Sequence, residues 1–324
     1  MRILVTGGAG FIGSHLCERL VSDGHEVTAI DDISTGSKSN LNNLLDSRSF
    51  SFVEGSILDL PTLKPLIQDA DYVFHLAAAV GVFNIVNNPL ASLLTNIRGT
   101  ENVLEAAHET STPVFLTSSS EVYGKNISDS LNESDDRILG SPVTLRWSYS
   151  EAKAIDESLA YAYFVEKKLE TRIVRFFNTV GPRQLGAYGM VVPRFVRSAL
   201  ADEPITIYGS GEQTRCFAHV YDVVDAVVAL AFAENTIGKV INIGNNFEIS
   251  INDLARRIIS ETESKSEVVY VPYAEAYGQG FEDMDRRVPN IDLIKDLVGW
   301  QPKRDLSTMI TDIADEMKKL TKVN

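Results

Sequence analysis

The chain has 324 residues, of which 44% are apolar, and its formal net charge is −14. This length and apolar content allow a large core, in one large domain or two coupled domains. Nucleic-acid-binding proteins usually carry a basic stripe that neutralises phosphates, and the sequence has none. The composition therefore argues against a nucleic-acid partner, and an anionic substrate requires a few arginines that form a local positive pocket.

Cysteine and histidine usage argues against a metal site. Cys17 and Cys216 lie far apart without a C-x-x-C motif, and the five histidines show no metal-ligand spacing. No stretch approaches the ~20 apolar residues that a membrane span needs. The sequence opens on a predicted strand and shows no signal peptide, so we expect no membrane partner and a reducing, cytoplasmic location.

Short apolar runs alternate with longer amphipathic runs through the first half of the chain. The predicted strands are Arg2–Thr6, Glu26–Ile30, Phe50–Glu54, Tyr72–Leu76, Pro113–Thr117 and Thr171–Phe176. The predicted helices are Phe11–Ser22, Thr62–Gln68, Leu90–His108 and Ser148–Lys167. This alternation predicts an α/β fold, a Rossmann-type doubly wound parallel sheet covered by helices on both faces.

After Gly181 the rhythm loosens, which predicts a smaller C-terminal substrate domain. The elements predicted there are a strand at Val240–Ile243 and helices at Pro193–Ala201, Tyr221–Ala233, Ile251–Ser264 and Leu306–Lys319. We assign residues 1–177 and about 217–244 to the first domain, and 178–216 and 245–324 to the second.

A glycine-rich loop lies between the first strand and the first helix. Gly7, Gly10 and Gly13 lack Cβ atoms, which lets the backbone turn tightly and approach a pyrophosphate. The helix start adds exposed N–H groups and the positive end of the helix dipole. In this strand–loop–helix setting the motif predicts a dinucleotide site, with Phe11 and Ile12 part of the same turn.

The second predicted strand leads into Asp31 and Asp32, about twenty residues after the loop. A carboxylate there accepts hydrogen bonds from a ribose diol and repels a 2′-phosphate, so NAD is favoured over NADP. Residues that follow the third and fourth strands complete the predicted cofactor site, namely Ser56, Ile57, Leu76, Ala77 and Ala78.

Tyr149 and Lys153 stand one helical turn apart, so they share a face of the predicted helix. The lysine ammonium can lower the pKa of the tyrosine, with help from oxidised nicotinamide, so that the phenol takes a hydroxyl proton near neutral pH. The serine cluster that follows the fifth strand supplies Ser119, whose hydroxyl can bind the same substrate oxygen. Glu121 offers a second acid or base.

These residues give the chain a resemblance, over essentially its whole length, to the extended short-chain dehydrogenase/reductases that modify nucleotide sugars. The matching segments are Thr6–Gly13, Asp31, His75–Ala78, the Ser119/Tyr149/Lys153 triad, Arg175–Asn178, Gly181–Arg183 and Gly299–Pro302. The combined pattern is highly specific for the family and less specific for the reaction.

The resemblance implies a UDP-sugar substrate and a set of residues that bind it. The segment from Asn178 to Arg194 and the stretch from Tyr208 to Arg215 are expected to contact the nucleoside diphosphate, because arginine forks suit phosphate oxygens. The implied substrate residues are Ser119, Asn178, Arg183, Val192, Arg194, Tyr208, Arg215 and Arg287. The family also commonly forms homodimers through two long helices, here Leu90–His108 and Ser148–Lys167.

Members of the family share a first step. A tyrosine removes the proton of the sugar C4 hydroxyl while the C4 hydride passes to NAD, which gives a 4-ketose. A 4,6-dehydratase resembling the dTDP-glucose enzymes would carry Asp-Glu where this chain has Ser120-Glu121. Simple UDP-hexose 4-epimerases often lack the glutamate.

UDP-glucuronate decarboxylases resemble the chain best in three segments, Ser119–Gly124, Arg146–Lys153 and Arg287–Ile291. Val288 departs from their pattern, which has a lysine there. Oxidation at C4 turns the C5 carboxylate into a β-keto acid, so CO₂ can leave and the hydride can return to give a pentose. Arg287 is expected to orient the carboxylate or to protonate C5 through water.

Three hypotheses follow. The leading one is decarboxylation of UDP-glucuronate to UDP-xylose, with the catalytic set Ser119, Glu121, Tyr149, Lys153 and Arg287. The second is 4-epimerisation of a UDP-hexose or UDP-uronate, which needs room for the keto sugar to rotate. The third is a silent NAD-binding sensor, which the presence of both Tyr149 and Lys153 disfavours.

Overall fold

A computed structural model of the chain describes residues 1–81, 85, 87–186, 190–272, 275, 284 and 286–323. Its strands are β1 (Arg2–Thr6), β2 (Glu26–Asp31), β3 (Phe50–Glu54), β4 (Tyr72–His75), β5 (Val114–Ser119), β6 (Thr171–Phe176), β7 (Thr179–Val180), β8 (Ile205–Tyr208), β9 (Thr214–Cys216), β10 (Ala218–His219), β11 (Val240–Ile243), β12 (Glu248–Ser250) and β13 (Val268–Val271). Its helices are α1 (Phe11–Ser22), α2 (Leu60–Asp69), α3 (Pro89–Thr110), α4 (Ser148–Lys167), α5 (Val191–Leu200), α6 (Val220–Ala231), α7 (Ile251–Glu261), α8 (Asp292–Val298) and α9 (Leu306–Val323).

The centre of the fold is a seven-stranded sheet in the order β11-β6-β5-β4-β1-β2-β3. Every neighbouring pair in it is parallel; Val5, for example, pairs with Ala29 on one side and Phe74 on the other. Sheets of this kind are buried on both faces, which explains the nearly continuous apolar runs of the central strands. The predicted Rossmann-type doubly wound sheet is confirmed.

Helices cover both faces of the sheet. Apolar side chains of α1 and α6 form one buried cluster with one face of the strands. Those of α2, α3 and α4 form a second cluster on the opposite face. Strand β5 continues to Ser119, two residues beyond the predicted end, because its pairing with β6 runs as far as Phe176.

A smaller core lies beside the sheet. It is built by apolar residues of α5, α7 and α9 together with β8. Three two-stranded sheets, β10-β7, β12-β9 and β13-β8, belong to the connecting segments around it. Since parallel strands present their carboxyl ends at one edge, this arrangement places the second core next to the edge where ligands bind in such folds.

Helix α8 departs from the predicted division of the chain. Ile291, Ile294 and Trp300 pack into the cluster that contains α1 and α6, and the Trp300 indole donates to the Asp222 carbonyl (2.9 Å). Its apolar face is therefore buried on the sheet side, although the predicted division places residues 245–324 in the second domain. The domain division stays a prediction.

Two negative findings concern the described part of the chain. No helix there is both long and apolar enough to cross a bilayer. The same residues contain no group of three or more His, Cys, Asp or Glu side chains placed to hold a metal ion.

Candidate active site

One cavity of about 720 Å³ runs along the carboxyl edge of the sheet, from the glycine loop to the second core. This volume lies in the range of cofactor and ligand clefts. The cavity is lined by every predicted site residue except Ser56: Gly7, Gly10, Phe11, Ile12, Gly13, Asp31, Asp32, Ile57, Leu76, Ala77, Ala78, Ser119, Glu121, Tyr149, Lys153, Asn178, Arg183, Val192, Arg194, Tyr208, Arg215 and Arg287. The fold therefore gathers residues that are far apart in sequence into one site.

The glycine loop fits a dinucleotide. A Cβ on Gly13 would come within 2.1 Å of the Gly7 carbonyl oxygen, and one on Gly7 would lie 2.7 Å from the Ala77 nitrogen, so neither position admits a side chain. Gly7 also has φ +72°, a left-handed conformation that favours glycine. Helix α1 starts at this loop without a side-chain cap from any described residue, so its first N–H groups remain for a pyrophosphate.

Asp31 is held in place by the loop that it faces. Its Oδ2 accepts the Ala9 N–H (3.0 Å) and its Oδ1 accepts the Ile33 N–H (2.8 Å). Burial raises the pKa of this carboxyl, and these N–H groups oppose the shift. Each oxygen keeps a second lone pair that can accept a ribose hydroxyl.

Ser56 lies between two residues that line the cavity, Gly55 and Ile57, but is not itself part of the lining. Its Oγ accepts the Leu58 N–H (3.3 Å) within the turn that precedes α2, and its place in the cofactor set stays a prediction. Serine hydroxyls commonly bind the backbone two residues on, and a single sequence cannot tell this use from a ligand contact. Ile57 does line the cavity.

Tyr149 and Lys153 face the cavity from α4, and Ser119 lines the same cavity. Burial raises the pKa of Tyr149, the nearby carboxylates of Glu121 and Asp156 raise it further, and Ser119 and Arg287 oppose the shift. The Lys153 ammonium is paired with Asp156 Oδ2 (3.2 Å) and donates to the Thr117 carbonyl (3.1 Å). A lowering of the Tyr149 pKa by Lys153 together with oxidised nicotinamide stays a prediction.

Glu121 lies between two arginines. Its Oε1 is 2.5 Å from Arg287 Nη1 and its Oε2 is 2.8 Å from Arg146 Nη1. Burial alone would raise the pKa of Glu121, but the two guanidinium groups outweigh it and hold the pKa well below its usual range. The carboxyl therefore stays ionised near neutral pH and pairs with two arginines, which favours a role in holding them; the use of Glu121 as a second acid or base stays a prediction.

The far end of the cavity is lined by Arg194, Tyr208 and Arg215. The Arg194 guanidinium stacks over the Tyr208 ring with its carbon 4.4 Å from the ring centroid. Asn178 connects this end to Tyr149, because its Oδ1 accepts Arg287 Nη2 (2.9 Å) while its Nδ2 donates to the Cys216 carbonyl (2.9 Å). Val192 is fully buried in the wall.

Arg183 lines the cavity between α1 and the second core. Its guanidinium donates to Ser14 Oγ (3.1 Å) and pairs with Glu18 (2.6 Å), both on α1, while its backbone N–H donates to Glu316 of α9. Its backbone has φ +69°, rare for a side-chain-bearing residue. Its contact with the substrate stays a prediction.

Sequence reasoning gave no role to two charged residues of the site, Arg146 and Asp156. Arg146 stands at the start of the segment that ends at Lys153, and its residue type alone indicates no role. Asp156 follows Lys153 by three residues, a spacing that places both on one helix face. The three-residue spacing could therefore have indicated the pair of Lys153 and Asp156. The contact between Arg146 and Glu121 spans a loop, so no sequence pattern indicated it.

Comparisons with known proteins agree with this geometry. The sequence model described as "NAD dependent epimerase/dehydratase family" matches residues 3–244. A UDP-N-acetyl-alpha-D-glucosaminuronate decarboxylase of Bacillus cytotoxicus is 41% identical over 93% of this chain and 92% of its own length. A UDP-glucuronic acid decarboxylase 1 of Xenopus tropicalis is 38% identical over 93% of this chain and 68% of its own length.

Solved structures show the same fold with the cofactor in place. A UDP-glucuronic acid 4-epimerase of Bacillus cereus, solved with UDP-glucuronic acid and NAD, has a TM-score of 0.89 at 30% identity. That match covers 99% of this chain and 100% of the other. The chain therefore belongs to the NAD dependent epimerase/dehydratase family, and its cofactor is NAD.

Proposed function

We propose that the protein is an NAD-dependent decarboxylase of a UDP-uronate, and that it converts UDP-glucuronate to UDP-xylose through a 4-keto intermediate. The observation that carries this proposal is the Arg146–Glu121–Arg287 cluster next to Tyr149. A substrate with a carboxylate at C5 needs a cation close to the base that acts at C4, and this cluster supplies one.

The local charge supports this assignment. Two guanidinium groups share the Glu121 carboxylate, and the side chains of Arg146 and Arg287 are only 7% and 8% exposed, so water screens their charge weakly. A substrate carboxylate next to them is therefore attracted more strongly than it would be at the surface.

Unpartnered donors mark two positions for anions. The Nε groups of Arg287 and Arg194 are buried in the cavity wall, and neither has a hydrogen-bond partner among the described residues. An unsatisfied buried donor costs about 1–3 kcal/mol, so each position favours a ligand oxygen. One lies near Tyr149 and the other beside Tyr208, which suits a ligand with a carboxylate at one end and a diphosphate towards the other.

The chemistry follows from these positions. Tyr149, as phenolate, takes the C4 hydroxyl proton, with Ser119 holding the same oxygen. NAD, held by the glycine loop and Asp31, would supply a hydride acceptor for C4 and a hydride donor for the return step. The 4-keto group makes a β-keto acid of the carboxylate held by Arg287, so the C5–C6 bond breaks, CO₂ leaves and the electron pair of that bond enters the ketone. Water then supplies a proton to C5, and Tyr149 returns its proton to O4.

Similarity to decarboxylases supports the same reaction. The relatives from Bacillus cytotoxicus and Xenopus tropicalis are named for decarboxylation of two uronates that differ at C2. Both names share the C5 carboxylate, the group that Arg287 would bind. The test therefore compares both uronates.

The experiment incubates the NAD-loaded protein with UDP-glucuronate, UDP-N-acetylglucosaminuronate and UDP-galactose and resolves the products together with released CO₂. We expect CO₂ and a UDP-pentose from UDP-glucuronate. A preference for the N-acetyl substrate would keep the reaction and change the sugar. No turnover of any nucleotide sugar by a protein that holds NAD would contradict the proposal and favour an NAD sensor.

The second candidate is 4-epimerisation. The solved UDP-glucuronic acid 4-epimerase, 30% identical over nearly the whole chain, favours it specifically, because a carboxylate-binding arginine serves that reaction too. A C4-epimeric uronate without CO₂ would establish this candidate. A 4,6-dehydratase remains disfavoured by Ser120, which stands where those enzymes have an aspartate.

We further propose a homodimer formed through α3 and α4. These helices pack on each other, and their outer surface exposes apolar side chains: Leu90 is 69% exposed, Tyr161 51% and Val165 45%. Such a patch is covered in many proteins by a second copy. Light scattering should give a dimer mass for the parent and a monomer mass for a Tyr161→Glu, Val165→Glu double variant.

We also propose that the reaction takes place in the cytoplasm. Cys17 and Cys216 are buried free thiols, which suits a reducing compartment. Cell fractionation with an antibody against the protein tests this location.

A further inference from the structure

Asp156 is a fully buried carboxylate at the base of the active site that the proposed chemistry does not use. Its side chain has 0% exposure, and it lies on α4 three residues after Lys153. Isolated carboxylates are rarely buried in this way, because the loss of hydration costs several kcal/mol unless a partner offsets it. The partner here is the catalytic lysine, whose ammonium is 3.2 Å from Asp156 Oδ2.

We propose that Asp156 is a positioning residue that holds the Lys153 ammonium and partly cancels its charge, so that Lys153 gives the phenolate form of Tyr149 less electrostatic support than it otherwise would. One residue of the site thus limits how strongly another residue of the same site supports the phenolate. The strength of Tyr149 as a base is then set by a residue that touches neither the substrate nor the cofactor.

Geometry supports this role. Lys153 has three N–H donors, and two are directed to Asp156 and to the Thr117 carbonyl (3.1 Å). The carboxylate and the strand carbonyl thus fix the ammonium from two sides. The Thr100 hydroxyl of α3 lies next to this carboxylate and bonds His75 Nε2 of β4 (3.1 Å), which places the pair against that strand.

Two carboxylates of the described residues, Glu121 and Asp156, act on Tyr149 and raise its pKa after burial does. The other groups that face it are Ser119 of β5, Lys153 of α4 and Arg287. Glu121 is paired with two arginines. The ion pair of Asp156 is with Lys153, the same cation that would support the phenolate, so its removal should act on Tyr149 both directly and through Lys153.

Glu157 provides a matched control on the same helix. It is a buried carboxylate next in sequence, but it pairs with Arg175 (2.8 and 2.9 Å) on β6 and not with Lys153. Its loss should disturb packing without changing the charge on Lys153. A purely structural role for Asp156 would make the Asp156→Asn and Glu157→Gln variants behave alike.

The test titrates Tyr149 in the NAD-loaded protein. Phenolate absorbance is recorded against pH for Asp156→Asn, Glu157→Gln and the parent, each with Tyr149→Phe added as its own reference. We expect the Tyr149 midpoint to fall by about one pH unit in Asp156→Asn and to stay unchanged in Glu157→Gln. Asp156→Ser, which is smaller, serves if the amide does not fold. An unchanged midpoint in a folded Asp156 variant that binds NAD overturns the proposal.

The pH profile of kcat/KM for CO₂ release from UDP-glucuronate gives a second readout, which rests on the proposed function. Because a lower phenol pKa leaves more phenolate at a given pH, the acid limb should move to lower pH in Asp156→Asn. The two failures are distinguishable: a protein that releases no CO₂ contradicts the proposed function, while the phenolate titration, which needs no substrate, still decides the role of Asp156.

Discussion

The two ends of the cavity recognise their ligands by different means. At the cofactor end, the backbone of the glycine loop provides the binding groups, and its glycines leave room for a pyrophosphate because they carry no side chains. At the catalytic end, charged side chains from distant segments neutralise or restrain one another, as in the Arg146–Glu121–Arg287 cluster. The glycine loop of the cofactor end is a continuous segment that can be recognised in the sequence. The charged cluster of the catalytic end forms only when folding brings distant segments together.

The largest effect should come from Tyr149→Phe at the charged end. Without a phenol to take the C4 proton, turnover of UDP-glucuronate should fall by several orders of magnitude while NAD stays bound. Product chromatography and the NAD content of the purified protein measure the two effects. Tyr161→Phe, on the exposed side of the same helix, is the control and should keep parent activity. Near-parent turnover in Tyr149→Phe would remove this residue from the mechanism.

Gly13→Ala tests the backbone-defined end. A Cβ there would collide with the Gly7 carbonyl at 2.1 Å, so the loop must shift. We expect NAD affinity to fall at least tenfold, or about 1.4 kcal/mol, by calorimetry. Gly24→Ala has a strained φ of +86° but open space around its Cβ, so it should cost about 1 kcal/mol of stability and leave NAD binding unchanged. Equal NAD affinity in Gly13→Ala and the parent would show that the loop does not hold the cofactor.

Arg287→Ala removes one positive charge from the charged cluster at the catalytic end. CO₂ release should be lost, and the Kd for UDP-glucuronate, measured by calorimetry, should rise about 30-fold or more, because truncating one partner of a buried charge pair costs about 2–5 kcal/mol. Arg286→Ala is a close control, since that arginine lies next in sequence and pairs with Glu248 at the surface. Its activity should match the parent. If the Arg287 variant still releases CO₂ at the parent rate, the arginine does not bind the carboxylate.

The last prediction concerns how the free energy of unfolding depends on pH. Burial lowers the pKa of His75 to about 3 and that of His15 to about 4, both from an ordinary value near 6.5. Protons then bind the unfolded chain more readily, so stability present above pH 6.5 should be lost progressively as the pH falls towards about 4 and then 3. Urea unfolding from pH 7 to 4.5 measures the loss. His15→Phe should flatten part of the slope; an unchanged slope would show that this histidine does not contribute.

Much of the fold was predictable, for physical reasons. Apolar runs and glycine punctuation predicted the strands from β1 to β6 and the long helices to within a few residues. The placement of α8 was not, since Ile294 and Trp300 look equally suited to either core until long-range packing selects one. The cofactor residues were predictable because one loop and the strand ends define them, with Ser56 alone outside the lining of the cavity.

The charged end was predictable in membership but not in role. Glu121, Tyr149 and Arg287 were identified, yet the pKa values of Glu121 and Tyr149 depend on surroundings that no local pattern reveals. Glu121 pairs with Arg146, which reaches it from another loop. The pKa of Tyr149 is raised by burial and then by the carboxylates of Glu121 and Asp156.

A cationic cleft inside an acidic molecule has a kinetic consequence. The protein carries a formal charge of −14, so a trianionic sugar nucleotide meets repulsion far from the surface and attraction only at the mouth. Dissolved salt screens the distant repulsion more than the sheltered attraction, since the Debye length is about 10 Å at 0.1 M. Capture of UDP-glucuronate should therefore quicken as ionic strength rises from low values, opposite to ordinary electrostatic steering, and stopped-flow measurements on the NAD-loaded Tyr149→Phe variant can follow it.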